Sequence, residues 1–465
     1  MRRAALAALL ALAAAPAAAA EERPREEDLF ATPPKPAATV PPLQPGERPG
    51  EDAILAAPLP QPSLREDPLR IGGLLYPRLN VYWLQGVPPS QWILDAPSLV
   101  DAYLDVRPNE RLRGFVQGRL LYDVSVNEQS VNVYGFPTTA ASVYLDQLWI
   151  RFDIARTVFV TAGKQHVKWG TGHFWNPTDY LHLRPLNPLA VFDARVGTTM
   201  LKLHVPWEQK GWNFYAMGLL EGPDAVNQLG QVGGAARIEA VFGTLEVGVD
   251  GVVQMGSQPR LGVDFSAGIG DFDVYGEAAL RWGREVTQWR VVQTPDFAQG
   301  QAGTYQAYDP GFAPQAVLGV SRTWKYSDED TFTLGLEGYY NSVGYTDPVV
   351  YPWLIFQQDF LPFYQGRWYA GLYLLLPKPG PWNTTNFVFS TIASICDRTF
   401  VSRIDFSIVL LTYLRLESYV AVHYGVRGGE FRFALEAPAL PPYTTAPLSV
   451  PPPLVDLGLA LRLSL

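Results

Sequence analysis

The sequence predicts an all-β protein: a transmembrane antiparallel β-barrel of about 18 strands, with about 16 as the alternative, preceded by a Pro-rich disordered segment. Three observations carry that expectation. Apolar residues make up 48% of the 465-residue chain and aromatics 13%, yet charged residues only 17%. Water-exposed domains usually carry about 25% charge, so the chain has too little polar surface for the several soluble domains its length would otherwise suggest. After the N-terminal stretch no apolar run approaches the roughly 18–20 residues of a membrane helix. Finally, apolar and polar residues alternate from Arg70 almost to Leu465, in segments joined by connectors that are by turns short and long.

Taken in order, the chain starts with a targeting segment. Arg2 and Arg3 are followed by apolar Ala4 to Ala15, a break at Pro16 and small residues Ala18, Ala19 and Ala20 before Glu21. This is the pattern of a signal peptide over 1–20, and it predicts export. Residues 21–69 then form a Pro-rich segment (Pro33, Pro34, Pro36, Pro41, Pro42, Pro45 and others) among charged groups such as Glu26, Asp28 and Arg48. Proline fixes φ and removes backbone donors, so an extended periplasmic tether is expected. A partner-binding arm or a lumen plug is the other reading.

The remaining span, 70–465, reads as the barrel. Strands are expected near 71–83, 98–107, 112–123, 142–153, 158–166, 196–205, 212–220, 234–242 and 245–254. They continue near 260–269, 272–283, 315–325, 331–341, 367–377, 385–394, 401–411, 414–424 and 454–465. In one of them Leu261, Val263, Phe265 and Ala267 alternate with Arg260, Gly262, Asp264 and Ser266. Tight turns fall at Pro108–Arg111, Ile154–Thr157, Gly243–Thr244, Gly270–Asp271 and Ser327–Asp330. Long connectors at 167–195, 284–314, 342–366 and 425–453 belong to the other rim, where 255–259 and 395–400 are short exceptions. The last strand alternates Leu457, Leu459, Leu461, Leu463 and Leu465 with polar or small residues. It resembles the C-terminal signal by which such barrels are recognised for assembly, with Leu465 in place of the usual aromatic. Aromatics near strand ends (Tyr82, Trp83, Trp169, Trp282, Tyr339, Tyr340, Trp368, Tyr369 and Tyr424) are expected to form interfacial girdles.

The block from Gly163 to Asp179 holds the most local information. It runs Gly-Lys-Gln-His-Val-Lys-Trp-Gly-Thr-Gly-His-Phe-Trp-Asn-Pro-Thr-Asp and leads on to Asp193 and Arg195. This block resembles one in porin-like outer-membrane families of Gram-negative bacteria, where a Gly-basic-Gln strand enters a Trp-Gly turn and a Trp-Asn-Pro-x-Asp loop. The resemblance covers about thirty residues and implies a barrel type rather than a solute. On the residues themselves, Gly170 and Gly172 permit positive φ where the strand leaves the sheet. Lys164, His166 and Lys168 are expected to turn inward together. With Trp175, Asp179, Asp193 and Arg195 they form the candidate pore constriction, carried by a loop over 171–195 folded into the lumen. The alternative is a rigid loop base clamped by Asp179, Asp193 and Arg195.

Other function classes find less support. Lys+Arg 36 against Asp+Glu 45 gives a net charge of −9 without a basic stripe, so nucleic acid is not expected as a partner. The single Cys396 excludes an intramolecular disulfide framework and a cysteine zinc site. His166, His173, His182, His204 and His423 lack metal-ligand spacing, so no metal, cofactor or enzymatic activity is expected. The expected function is passive diffusion of small polar solutes across the cell outer membrane, through a lumen bearing Arg119, Arg237, Glu239, Glu246, Arg281 and Glu337. The expected partners are the lipid bilayer with its lipopolysaccharide and, through the last strand, the barrel-assembly machinery; the sequence sets no oligomeric state. The alternative is a non-conducting barrel acting as a hydrolase or as a surface or envelope assembly protein.

Overall fold

Strands of alternating polarity, each able to hide only one face, have one solution in a membrane: a closed sheet with its apolar face outward and no free edge. The computed structural model describes residues 68–126, 139–182, 185–190, 195–221, 232–283, 287–439 and 447–465. The predicted signal peptide and all but the last two residues of the Pro-rich segment lie outside them. The described chain forms a closed antiparallel barrel of eighteen strands. Two of these strands are broken by single residues, at Pro77 between Leu69–Tyr76 and Arg78–Leu84, and at Ala96 between Ile93–Asp95 and Pro97–Asn109. Each strand pairs with its chain neighbours, and the last, Pro453–Ser464, closes onto the first with Leu74 opposite Ser464 and Arg78 opposite Ala460. Leu465 completes the seam by exchanging backbone bonds of 2.9 and 3.2 Å with Gly73.

Burial is inverted relative to a water-soluble sheet. On Thr198–Trp207, Met200, Lys202 and His204 are buried inside, while Leu201 and Leu203 stand exposed outside. The same inversion recurs at Leu318 and Leu336 outside against Glu337 inside. The rims also match expectation: short turns on one side, long connectors on the other, with only 395–398 and 255–259 tight there. Three long connectors form a folded cap with its own apolar core. The helix Tyr351–Gln357 and the hairpins Gln288–Gln293/Thr304–Tyr308 and Leu435–Ala437/Leu448–Val450 share it through Tyr351, Leu354, Phe360, Phe433 and Val450.

The expected girdle needs correction. Trp83, Trp282, Trp368 and Tyr424 do face outward, but Tyr82, Trp169, Tyr339 and Tyr369 are buried inside. Adjacent aromatics on a strand must point to opposite faces, so Tyr82–Trp83 and Trp368–Tyr369 each contribute one ring to either side. A second outward ring belt, unforeseen in the sequence, lies at the short-turn rim, with Phe152, Trp207, Phe242, Phe272 and Tyr326.

Inside the barrel, tyrosines lie across glycines on the neighbouring strand. Tyr275 covers Gly319, Tyr373 covers Gly335, Tyr419 covers Gly458 and Tyr103 covers Gly72, each pair directly opposite in register. A Cβ at Gly319 or Gly335 would come within 2.2 or 2.1 Å of the ring. Gly319→Ala should therefore destabilise the barrel by about 1–3 kcal/mol through overpacking. Gly118→Ala, where a Cβ meets nothing within 4 Å, should be neutral. Urea unfolding in lipid vesicles would measure both; equal effects would contradict the ring–glycine account.

Candidate functional site

The connector between Val158–Gln165 and Thr198–Trp207 does not lie over the rim; it crosses the interior. Leaving the sheet costs it the ladder that satisfies backbone donors, so buried acceptors must replace that ladder. Two wall glutamates do so. Glu277, on Phe272–Arg281, accepts from the amides of Thr171 (2.6 Å), Gly172 (2.7 Å) and Thr178 (3.2 Å), and from the Thr178 hydroxyl at 2.8 Å. Glu337, on Thr331–Asn341, accepts from the amides of His173 (2.6 Å), Phe174 (3.0 Å) and Trp175 (2.9 Å), and from the Tyr275 hydroxyl at 2.9 Å. Both carboxylates are almost wholly buried.

Close approach sets the residues next to these anchors. Gly170 has φ 94°, and a Cβ there would sit 2.5 Å from the Glu277 carboxylate. Gly172 lacks the expected positive φ; it is required because a Cβ would meet the Trp175 carbonyl at 1.9 Å. Beyond the anchors, aromatic contacts carry the loop to the wall half-way round the barrel from where it started. Trp175 stacks on Tyr339 (ring centroids 5.4 Å apart) and donates from Nε1 to the Phe363 carbonyl at 3.1 Å. His173 stacks on Tyr373 at 3.8 Å. Further along, the Leu186 and Leu189 carbonyls accept from the Tyr364 hydroxyl (2.7 Å) and Arg403 (2.8 Å).

The loop base is an ion cluster. Asp179 takes Arg195 Nη1 at 2.8 Å and His182 Nδ1 at 3.0 Å. Burial alone would raise its carboxyl, but His182, Arg195 and Lys168 together hold it well below the usual carboxylate range. At the loop root, His166 Nε2 lies 3.1 Å from Asp146, which Arg119 also meets at 3.1 Å while binding Asp101 at 2.7 Å. Asp146 reaches inward because it is the extra residue of a bulge between Gln147 and Leu145.

Of the residues singled out in the sequence, the structure brings Asp179 and Arg195 together, with Lys168 close by. It buries His166 inside and fixes Trp175 against the far wall. Asp193 lies outside the described residues. Lys164 requires a correction, because it faces outward. Its register partners are Leu148 and Thr199, it shares its face with Ala162 and Val160, and its ammonium lies 3.7 Å from Glu221. The three cations share no face, since the strand ends at Gln165 and the chain turns inward before His166. Sequence reasoning named Glu337 only as scattered lumen charge and passed over Glu277. Each acid faces the interior at an ordinary alternating position, and nothing local marks it as an anchor.

No protein-family model matches the chain, and no curated protein matches it in sequence. Solved structures do match in architecture. Acinetobacter baumannii OccAB1 superposes with a TM-score of 0.51 at 11% identity, covering 85% of this chain and 96% of that one. OccAB4 from the same species gives 0.51 at 7% identity, over 86% and 99% of the two chains. Pseudomonas aeruginosa OccK8 (OprE) gives 0.50 at 8% identity, over 85% and 98%. The fold is that of an outer-membrane porin. Within this fold, the segment from Gly170 to Thr178 runs inside the barrel, held by Glu277 and Glu337.

Two outcomes follow for the loop. Glu337→Gln removes charge from three amide bonds, each worth about 1.5–3 kcal/mol, and faces donors with a donor. The loop should swing free, seen in planar bilayers as higher unit conductance and added open-channel noise. Asp179, with its folded-state pKa depressed, stabilises the loop base above the ordinary carboxylate range and loses that effect only as pH falls through the lower folded value. Asp179→Asn should therefore be noisier than the wild type already at neutral pH in the same recordings. A quiet Asp179→Asn channel would remove the cluster from this role.

Proposed function

We propose that the chain is an outer-membrane channel for passive diffusion of small polar solutes, its pore narrowed by the loop over 171–195. The observation that carries this reading is the inverted barrel with a polar interior, crossed among the described residues by an anchored loop. Contacts between loop and wall run from Arg237, whose guanidinium carbon lies 5.8 Å from the centroid of the Trp169 ring, round to Arg403. The rest of the wall, from Leu414–Gly425 through the seam to Ala141–Ile154, borders the passage. Solute passes and no bond in it is made or broken.

His166, Lys168, Trp175, Asp179, Asp193 and Arg195 belong to the narrowing as its scaffold and charge. Lys164 does not, being on the lipid-facing side. In this reading the signal peptide over 1–20 is removed and the N-terminal segment and short turns face the periplasm. The long connectors then face outward among lipopolysaccharide, and the C-terminal strand serves the barrel-assembly machinery.

Purified, folded protein in planar bilayers tests the reading directly. Stepwise ohmic conductance is expected, and deletion within 171–190 should increase it. Lys164→Glu should leave the reversal potential unchanged. A folded barrel that never conducts would end the channel reading.

A further inference from the structure

The arc of wall left open by the loop is not lined uniformly. On three successive strands, Tyr103, Phe115 and Trp149 face the interior and stack in a row, with ring centroids 5.7 and 5.5 Å apart and planes within 25° and 23°. Tyr103 lies across Gly72, so close that a Cβ there would meet its ring at 2.3 Å. A ring crossing over the neighbouring strand's backbone lies against the wall, and the near-parallel Phe115 and Trp149 follow it. All three are half-buried among the described residues.

Hydrogen-bonding groups frame this row. Gln117 and Gln147 run along one side, bonded to each other at 3.3 Å, with the Trp149 indole donating to Gln147 at 3.0 Å. Beyond them, Arg113 and Arg151 hold their guanidinium carbons over the Trp149 ring, 5.3 and 5.2 Å from its centroid. Charge nearby is largely matched within the wall. Asp105 takes Arg113 at 2.9 Å and Arg107 at 2.7 Å, and Asp101 takes Arg119 at 2.7 Å.

Resting on the channel reading above, we propose that this row is a stacking station for neutral pyranose sugars in transit. A pyranose presents an apolar C–H face and an equatorial rim of hydroxyls. Flat rings receive the face, and amide and guanidinium groups already held in fixed pairs donate to and accept from the rim. Arg113 is matched by Asp105, whereas Arg151 donates to the Thr161 hydroxyl at 3.1 Å, so an anionic aromatic is the alternative that the test must separate.

The test uses the full-length barrel in planar bilayers with maltotriose as probe and benzoate as the anionic aromatic comparison. Maltotriose at millimolar concentration should interrupt the ionic current in a concentration-dependent manner. Trp149→Ala and Phe115→Ala should each weaken that block about fivefold, the loss of one stacking partner. Trp149→Phe should retain most of it, and Gly118→Ala on the outer face should change nothing. If Trp149→Ala does not fold, Phe115→Ala and Trp149→Phe decide the matter.

Conducting channels that maltotriose never blocks would overturn the proposal, as would block undiminished in the ring variants. Overturning it equally would be a ring-dependent block by benzoate alone, since the row would then serve aromatic anions. Should the folded barrel not conduct, the channel reading fails separately. Equilibrium dialysis of maltotriose against the detergent-solubilised barrel then decides the station: binding lost in the ring variants upholds it, and no binding by the wild type overturns it.

Discussion

Every backbone N–H removed from water must find an acceptor, and this molecule is organised around that requirement. The strands meet it for one another, and the bond pair between Leu465 and Gly73 extends the same solution across the seam. The interior loop has left the sheet and has no ladder. Glu277 and Glu337 supply what the ladder would have supplied, with charged acceptors of fixed position. One requirement therefore produces both the closed wall and the path of the segment inside it.

Packing within the wall serves the same arrangement. Tyr275 lies over Gly319 and so delivers its hydroxyl to Glu337, linking a glycine on one strand to the loop anchor on the next. The aromatic surroundings of Trp175 exclude water from the anchor, which strengthens its charge-assisted bonds. Outside, the band of leucine and valine asks nothing specific of lipid, and ring residues mark its two borders.

Much of this was legible beforehand. Period-two alternation is a local property, so strands such as 245–254 and 260–269 could be placed to the residue. Strand number and rim assignment followed from turn spacing. Long-range pairing was not legible. Glu277 and Glu337 sit about 100 and 160 residues from the amides they hold, and a carboxylate at an alternating inward position looks alike whether it meets water or a loop. Lys164 was misplaced although Val158 and Val160, of the same parity, already pointed outward. The basic residues beyond it were read as one face after the strand had ended. Trp169, Tyr339 and Tyr369 illustrate the same loss, because ring type alone does not tell which side of a sheet it occupies.

The route of the loop also orders events in time. It emerges early in the chain, from Val158–Gln165, yet its anchors lie on Phe272–Arg281, Thr331–Asn341 and Thr399–Leu411. Until those later strands are in place, the segment bearing Phe174 and Trp175 has no wall to meet, and its amides have no carboxylates. Contacts of such sequence separation are slow to form, because the intervening chain must first be closed. The loop's full set of contacts therefore needs the strands through Thr399–Leu411 to be in place first.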